Sequence, residues 1–170
     1  DEGLRIDVGA LLDLGLFMGR YSEASLQGGW PRILGTSLSS TAAVQASYGR
    51  CDILVNSAGH TQPVPAADLD ALTDELIDDL LRANFRGVFA TIRAFAPMLK
   101  ASGDGLVVNV SSIAGFTGVG SNLAYVAAKA GLDVVGDALG KALAPAVRVV
   151  SVSPGAVESG FVAGRRAMFA

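Results

Sequence analysis

The 170-residue chain has little that could hold it together covalently or through a metal: one cysteine, Cys51, and one histidine, His60. A lone cysteine excludes an internal disulfide framework, and the pair cannot make a Cys/His zinc cluster, so no metal site is expected. Charge is also sparse, at 17% of residues, with 13 Lys plus Arg against 16 Asp plus Glu and a net charge of −3. No basic run exists beyond the Arg165–Arg166 pair, which argues against nucleic acid or an anionic membrane surface as the partner. Long apolar runs are missing too. The most apolar N-terminal stretch, residues 10–18, is broken by Asp13 and Gly15, and a bilayer span needs roughly 20 apolar residues. No membrane partner is expected, and a cytoplasmic location is the default expectation. What the chain does have is apolar content, 51% of residues, enough for one globular domain with a core of its own.

Three short runs rich in β-branched and aliphatic residues read as strands: 52–56 (DILVN), 105–110 (GLVVNV) and 147–152 (VRVVSV). They are nearly continuous in apolarity, the pattern of strands covered on both faces. Between the first two, Leu72, Leu76, Leu80, Phe85, Val88, Ile92, Phe95 and Leu99 recur every three to five residues. That spacing predicts a long amphipathic helix, capped by Thr73, with Asp74 and Glu75 suited to its positive end and Pro97 with Gly103 marking its stop. Between the second and third, Ala124, Ala128, Leu132, Val135, Leu139 and Leu143 predict another helix, ended by Pro145. A further helix over 40–48, capped by Ser39 or Ser40 and closed by Gly49, is expected ahead of the first strand. The order β, α, β, α, β requires parallel strands and right-handed crossovers, hence an α/β layered sheet. Residues 1–37 carry no clear strand, and no internal repeat is found.

Ligands of open parallel sheets bind beyond the carboxyl ends of the strands. The three strands run into Asn56-Ser57-Ala58-Gly59, Ser111-Ser112 and Ser153-Pro154-Gly155, small residues that let a ligand approach the backbone. The second helix opens with Tyr125 and Lys129, one turn apart on one face. An ammonium beside a phenol favours the phenolate and is expected to pull the tyrosine pKa below its usual value of about 10. Other features read as structural. Ser111 is expected to be a scaffold residue, His60 a solvated loop residue, and Asp133 with Asp137 a solvated face. Gly131, Gly136 and Gly140 suggest close packing against another helix or subunit.

Five segments, taken in order, resemble the short-chain dehydrogenase/reductase family: GRCDILVNSAG (Gly49 to Gly59), N-x-x-G-x-F (Asn84 to Phe89), NVSSIAG (Asn109 to Gly115), Y-x-x-x-K (Tyr125 to Lys129) and SPG (Ser153 to Gly155). Ser112 precedes Tyr125 by 13 residues, the family's usual separation, which selects it over Ser111. The resemblance implies a Rossmann-like, doubly wound parallel sheet. It implies an NAD- or NADP-dependent oxidoreductase interconverting an alcohol and a carbonyl in a small molecule. Tyr125 would exchange the proton, Ser112 would hold the substrate oxygen, and Lys129 would lower the tyrosine pKa and hold the nicotinamide ribose. Asn84 would anchor a water relaying protons to Lys129. Asn56, Ala58 and Gly59 would lie near the adenosine half of the cofactor, Pro154 and Gly155 beside the nicotinamide, and Ser159 where a threonine often touches it. A homo-oligomer through the helices at 73–100 and 122–144 is implied as well.

The chain departs from that pattern at both ends. The family opens on a strand and a T-G-x-x-x-G-x-G turn that meets the pyrophosphate. The nearest candidate here, Gly15-x-x-x-Gly19, has Leu14 in place of the threonine and Tyr21 in place of the last glycine, and reads as a chance spacing. Only 51 residues precede DILVN, too few for the usual first strands, and the chain stops before the usual substrate lid and last strand. The expectation is an N- and C-terminally incomplete member whose first glycine-rich strand-turn-helix and last strand are not recognisable. Its parts are an atypical segment over 1–37, a core over 38–160 and a tail over 161–170. A non-catalytic remnant or interaction module of the same fold is the alternative. A lyase or dehalogenase on this scaffold is disfavoured, because such relatives tend to replace the lysine that Lys129 retains.

Overall fold

The computed structural model describes residues 41–155. Helix α1 covers 41–48 and closes at Gly49, whose φ of +69° lets its N–H return to Gln45 O at 3.0 Å. The expected caps, Ser39 and Ser40, lie outside the described residues. Strand β1 (Ile53–Asn56) follows, one residue shorter than expected. Helix α2 (Asp74–Leu81) starts as predicted, with Thr73 Oγ1 accepting the Leu76 N–H at 3.3 Å. A π-helical turn (Arg82–Arg86) joins it to α3 (Gly87–Ser102). Strand β2 is Gly105–Val110, a short helix α4 is Ala114–Thr117, α5 is Leu123–Leu143 and β3 is Val147–Val152.

Two expectations about the long helix need correction. The five-residue step from Leu80 to Phe85 is the mark of a wide turn: the Gly87 N–H reaches back to Arg82 O, the i to i−5 bond of a π-helix. Pro97 does not end α3. It removes one intrahelical bond, but Phe95, Met98 and Leu99 around it are buried in the core, and that packing carries the helix on to Gly103, where φ is +84°.

The strands are parallel in the order β1-β2-β3, with Asn56, Asn109 and Ser151 in register. Successive right-handed crossovers in one direction put α2–α3 and α5 on the same face of the sheet. The core lies between: Leu54, Val107 and Val147 from the strands meet Val88, Ile92, Phe95, Leu99 and Leu132 from the helices. On the opposite face Val108 and Val110 are half-buried, and Val150 and Val152 are exposed. Among the described residues, no helix is long and apolar enough to cross a membrane.

Of the helix glycines, Gly131 packs as expected and two do not. A Cβ on Gly131 would touch the Phe85 ring at 3.5 Å, a helix contact. Gly136 and Gly140 instead face the sheet, 3.4 Å from Ser151 Oγ and 3.6 Å from Val149 O. Gly105, at the start of β2, is the tightest of these approaches to backbone. A Cβ there would lie 2.6 Å from Leu99 O and 3.0 Å from Leu99 C. Gly105→Ala is therefore expected to cost about 2–3 kcal/mol, read as a lower urea midpoint. An unchanged midpoint would show that the end of α3 moves freely.

Candidate active site

Parallel pairing sends the loops after β1, β2 and β3 to one end of the sheet. The second and third are stitched together, with Ser111 N–H donating to Val152 O at 2.8 Å and Ile113 N–H to Pro154 O at 3.1 Å. Ser111 is buried and its hydroxyl donates to Lys129 O at 3.3 Å. Ser112 is half-exposed, and its Oγ accepts the Ala114 N–H at 3.2 Å at the start of α4. That short helix, unforeseen in the sequence, aims the serine hydroxyl. Gly115, in the same turn, is where α4 meets α5: a Cβ would lie 2.9 Å from Ala130 N.

Helix α5 begins at Asn122, whose Oδ1 accepts the Tyr125 N–H at 2.7 Å. The capped first turn directs Tyr125 toward Ser112, whose hydroxyl influences the phenol. Lys129, one turn on, is only 4% exposed. Its Nζ donates to Val110 O at 2.9 Å and lies 5.6 Å from the centroid of the Tyr125 ring.

The expected pKa pattern is corrected here. Burial is the largest influence on both groups, because each ionised form loses hydration. It raises the Tyr125 phenol above its ordinary value, against a smaller lowering by the Ser112 hydroxyl. It lowers the Lys129 ammonium to about 8, against a smaller pull upward from Asp133. Asp133 is thus not part of a solvated face. Its Oδ1 is buried with no hydrogen-bond partner, whereas Asp137 is exposed as expected.

Asn84 sits in the π turn, fully buried. Its Nδ2 donates to Leu80 O at 3.0 Å and to His60 O at 2.9 Å, and its Oδ1 has no partner. Gly59 explains the fit: a Cβ there would lie 2.4 Å from that Oδ1 and 3.9 Å from Lys129 Nζ. Gly59, Asn84 and Lys129 therefore converge on one spot with an unspent buried acceptor. His60 is more than a solvated loop residue, since its carbonyl holds Asn84 and its Nε2 lies 3.1 Å from Asp79 Oδ2.

Not every predicted site residue joins this cluster. Asn56 turns inward, on the same side of β1 as Leu54, and is buried. Its amide donates to Asn109 Oδ1 at 2.9 Å and accepts from Thr91 Oγ1 at 2.6 Å. It ties two strands to α3 at the carboxyl end of β1. Asn109 and Thr91 were missed, although one asparagine at the end of an apolar strand and another next to the end of a second were a visible signal. Ala58 and Gly59 are half-exposed after β1, as is Pro154 after β3 beside the exposed Gly155. Ser159 lies outside the described residues.

Comparison with known proteins agrees with this geometry. The family model for short chain dehydrogenases matches residues 38–169. The protein designated ketoacyl reductase 2 of the granaticin polyketide synthase of Streptomyces violaceoruber is 45% identical over 112 residues, covering 66% of this chain and 45% of that protein. A short-chain dehydrogenase/reductase homologue of Bacillus subtilis is 46% identical over 80 residues, covering 47% of this chain and 62% of its own length. The chain thus spans about half the length of such curated relatives. Among solved structures, a short-chain dehydrogenase/reductase of Burkholderia xenovorans superposes with a TM-score of 0.73 at 34% identity, over 75% of this chain and 53% of the other. An alcohol dehydrogenase of the archaeon Thermococcus sibiricus, complexed with 5-hydroxy-NADP, gives 0.69 at 25% identity, over 75% and 52%. The parallel sheet, the Ser112, Tyr125 and Lys129 cluster at its open end and these matches lead to one conclusion: the chain belongs to the short chain dehydrogenase family.

Proposed function

We infer that the chain carries the catalytic part of an NAD(P)-dependent oxidoreductase that interconverts an alcohol and a carbonyl. The observation that carries this reading is the Tyr125 phenol set beside the Ser112 hydroxyl and a buried Lys129 at the carboxyl end of a parallel sheet. A phenol held above its ordinary pKa keeps its proton at neutral pH, so Tyr125 is ready to protonate a carbonyl oxygen as the carbon is reduced. Ser112 donates a second hydrogen bond to that oxygen and fixes its orientation. A nicotinamide dinucleotide, when bound, supplies or accepts the hydride, chemistry that no side chain provides.

The donor set fits such a cofactor. Lys129 spends one ammonium proton on Val110 O and keeps two for ribose hydroxyls. Ala58, Gly59, Pro154 and Gly155 offer small or flat surfaces for the rest, with Ser159 further along the chain. The unspent Asn84 Oδ1 suits a water that passes protons toward Lys129. Asn56, whose amide is committed within the core, is left out of this set.

Two relatives are named as polyketide synthase ketoacyl reductases, which favours a small-molecule ketone as substrate. A cytoplasmic homo-oligomer accompanies this reading, and exposed Phe89, Leu123 and Val134 on α3 and α5 suit such contacts. Light scattering at a single protomer mass would remove it.

Fluorescence titration with NADH and NADPH, then turnover of an acetoacetyl thioester, tests the function. Saturable binding and loss of reduced-nicotinamide absorbance are expected. A folded chain that binds neither dinucleotide would leave the non-catalytic alternative.

A further inference from the structure

Asn122 does more than cap the helix that carries Tyr125. Its side chain is 2% exposed, and both of its N–H groups are used away from the helix. Nδ2 donates to Thr61 Oγ1 at 3.2 Å and to Gln62 O at 2.7 Å, while Oδ1 takes the Tyr125 N–H. The adjoining residues reinforce the tie. The Thr61 and Ser121 hydroxyls are hydrogen-bonded to each other, and Val64 N–H donates to Ser121 O at 2.8 Å. Residues 61–64 continue directly from Gly59 and His60, the stretch that packs on Asn84 and lies near Lys129.

We propose that Asn122 is a positioning residue that locks the loop after β1 and the first turn of α5 into one unit, so that it sets the distance between Gly59 and the Tyr125 phenol. The inference rests on the oxidoreductase reading, in which that loop faces the dinucleotide and the phenol faces the carbonyl. A cap alone has no use for the amide nitrogen. Serine, threonine or aspartate would satisfy the Tyr125 N–H as well, and aspartate would also suit the positive end of the helix. The tie to residues 61–64 needs two N–H donors in a buried place, which among these cap residues only asparagine supplies.

Asn122→Asp separates the two roles. The carboxylate keeps the cap but has no N–H and sets negative charge against Gln62 O. Thr61→Val removes the hydroxyl that accepts from Asn122 and pairs with Ser121, weakening the same tie from the other side without touching α5. In both variants, amide hydrogen exchange over 61–64 is expected to rise about tenfold or more, with the body of α5 protected as in wild type. Reduction of an acetoacetyl thioester with NADPH is expected to lose about tenfold in kcat, with the thioester KM within about twofold, because a misplaced phenol slows chemistry more than binding. Exchange at the wild-type rate in Asn122→Asp overturns the proposal. Faster exchange with unchanged kcat overturns it too, leaving a structural tie that does not govern Tyr125. A wild-type chain that binds no dinucleotide instead overturns the oxidoreductase reading, and the exchange data still decide whether the lock exists.

Discussion

Tyr125→Phe is expected to lower turnover by about 10³-fold, within the range for a lost general acid or base, and to leave the fold in place. The ring stays packed, and only the hydroxyl beside Ser112 is removed. Ser112 keeps its bond from the Ala114 N–H, so the turn it anchors persists and the stability cost is about 1 kcal/mol. Among the described residues, Lys129 is no substitute for the phenol: its ammonium gives one proton to Val110 O, and the proposed function uses the others on the ribose.

The direction of the phenol's pKa adds a second, independent reading of the same residue. Burial holds it above the ordinary value, so the protonated form that carbonyl reduction would need under the proposed function prevails through neutral pH. Alcohol oxidation needs the phenolate and should climb as the pH becomes alkaline. Initial rates in both directions across pH, with circular dichroism of the variant, check both statements. Unchanged turnover in Tyr125→Phe would remove the residue from the mechanism.

The second large effect is on stability. Lys129→Met is expected to stabilise the fold at neutral pH by about 2 kcal/mol while abolishing activity. The ammonium is 4% exposed and its pKa falls from 10.5 to about 8 on folding. The folded state therefore binds that proton more weakly than the unfolded state does. The resulting destabilisation is fully present below about pH 8 and is relieved as the pH rises toward 10.5. At 1.36 kcal/mol per unit its size is on the order of 3 kcal/mol. The pull of Asp133 on the ammonium is already contained in the lowered value. Methionine fills a similar volume without charge, and leaving Val110 O without its donor gives back about 1 kcal/mol. Urea denaturation should show a gain at pH 7 that shrinks as the pH approaches 10.5. Equal stability of the two proteins at pH 7 would mean that the buried ammonium is not penalised. If the gain appears with activity lost, the lysine is held in place at a cost to stability.

Most of the candidate site is legible in the sequence. Tyr125 and Lys129 stand four residues apart, and a helical repeat puts such residues on one face. Ser112 was selected over Ser111 by the separation from Tyr125 that is usual in the family it resembles, and the fold sets both side chains at the same end of the sheet. The strands at 105–110 and 147–152 and the caps at Thr73, Gly49 and Gly103 were equally readable, because each depends on a few neighbouring residues.

Asn56 shows where that legibility stops. Its position at the end of a strand is local, but which way it points follows from the pairing of β1 with β2, and its partners, Asn109 and Thr91, are 53 and 35 residues away. The clasp of Asn122 on Thr61 and Gln62 spans a similar interval. The pKa of Tyr125 was misjudged for a related reason. An i,i+4 neighbour can be counted in the sequence, but hydration loss is a sum over every group that packs around the phenol.

The sequence by itself determined the parallel α/β order, the two crossover helices and the shared face of Tyr125 and Lys129, since periodicity and spacing act within one element or between adjacent ones, and the family resemblance singled out Ser112. Only the tertiary structure decided which polar groups are buried and with whom: Asn84 against Gly59, Lys129 on Val110 O, Asn56 in the core and Asn122 across to the loop after β1. Burial and its electrostatic consequences arise when segments distant in the chain close on one another, so no local pattern of residues carries them.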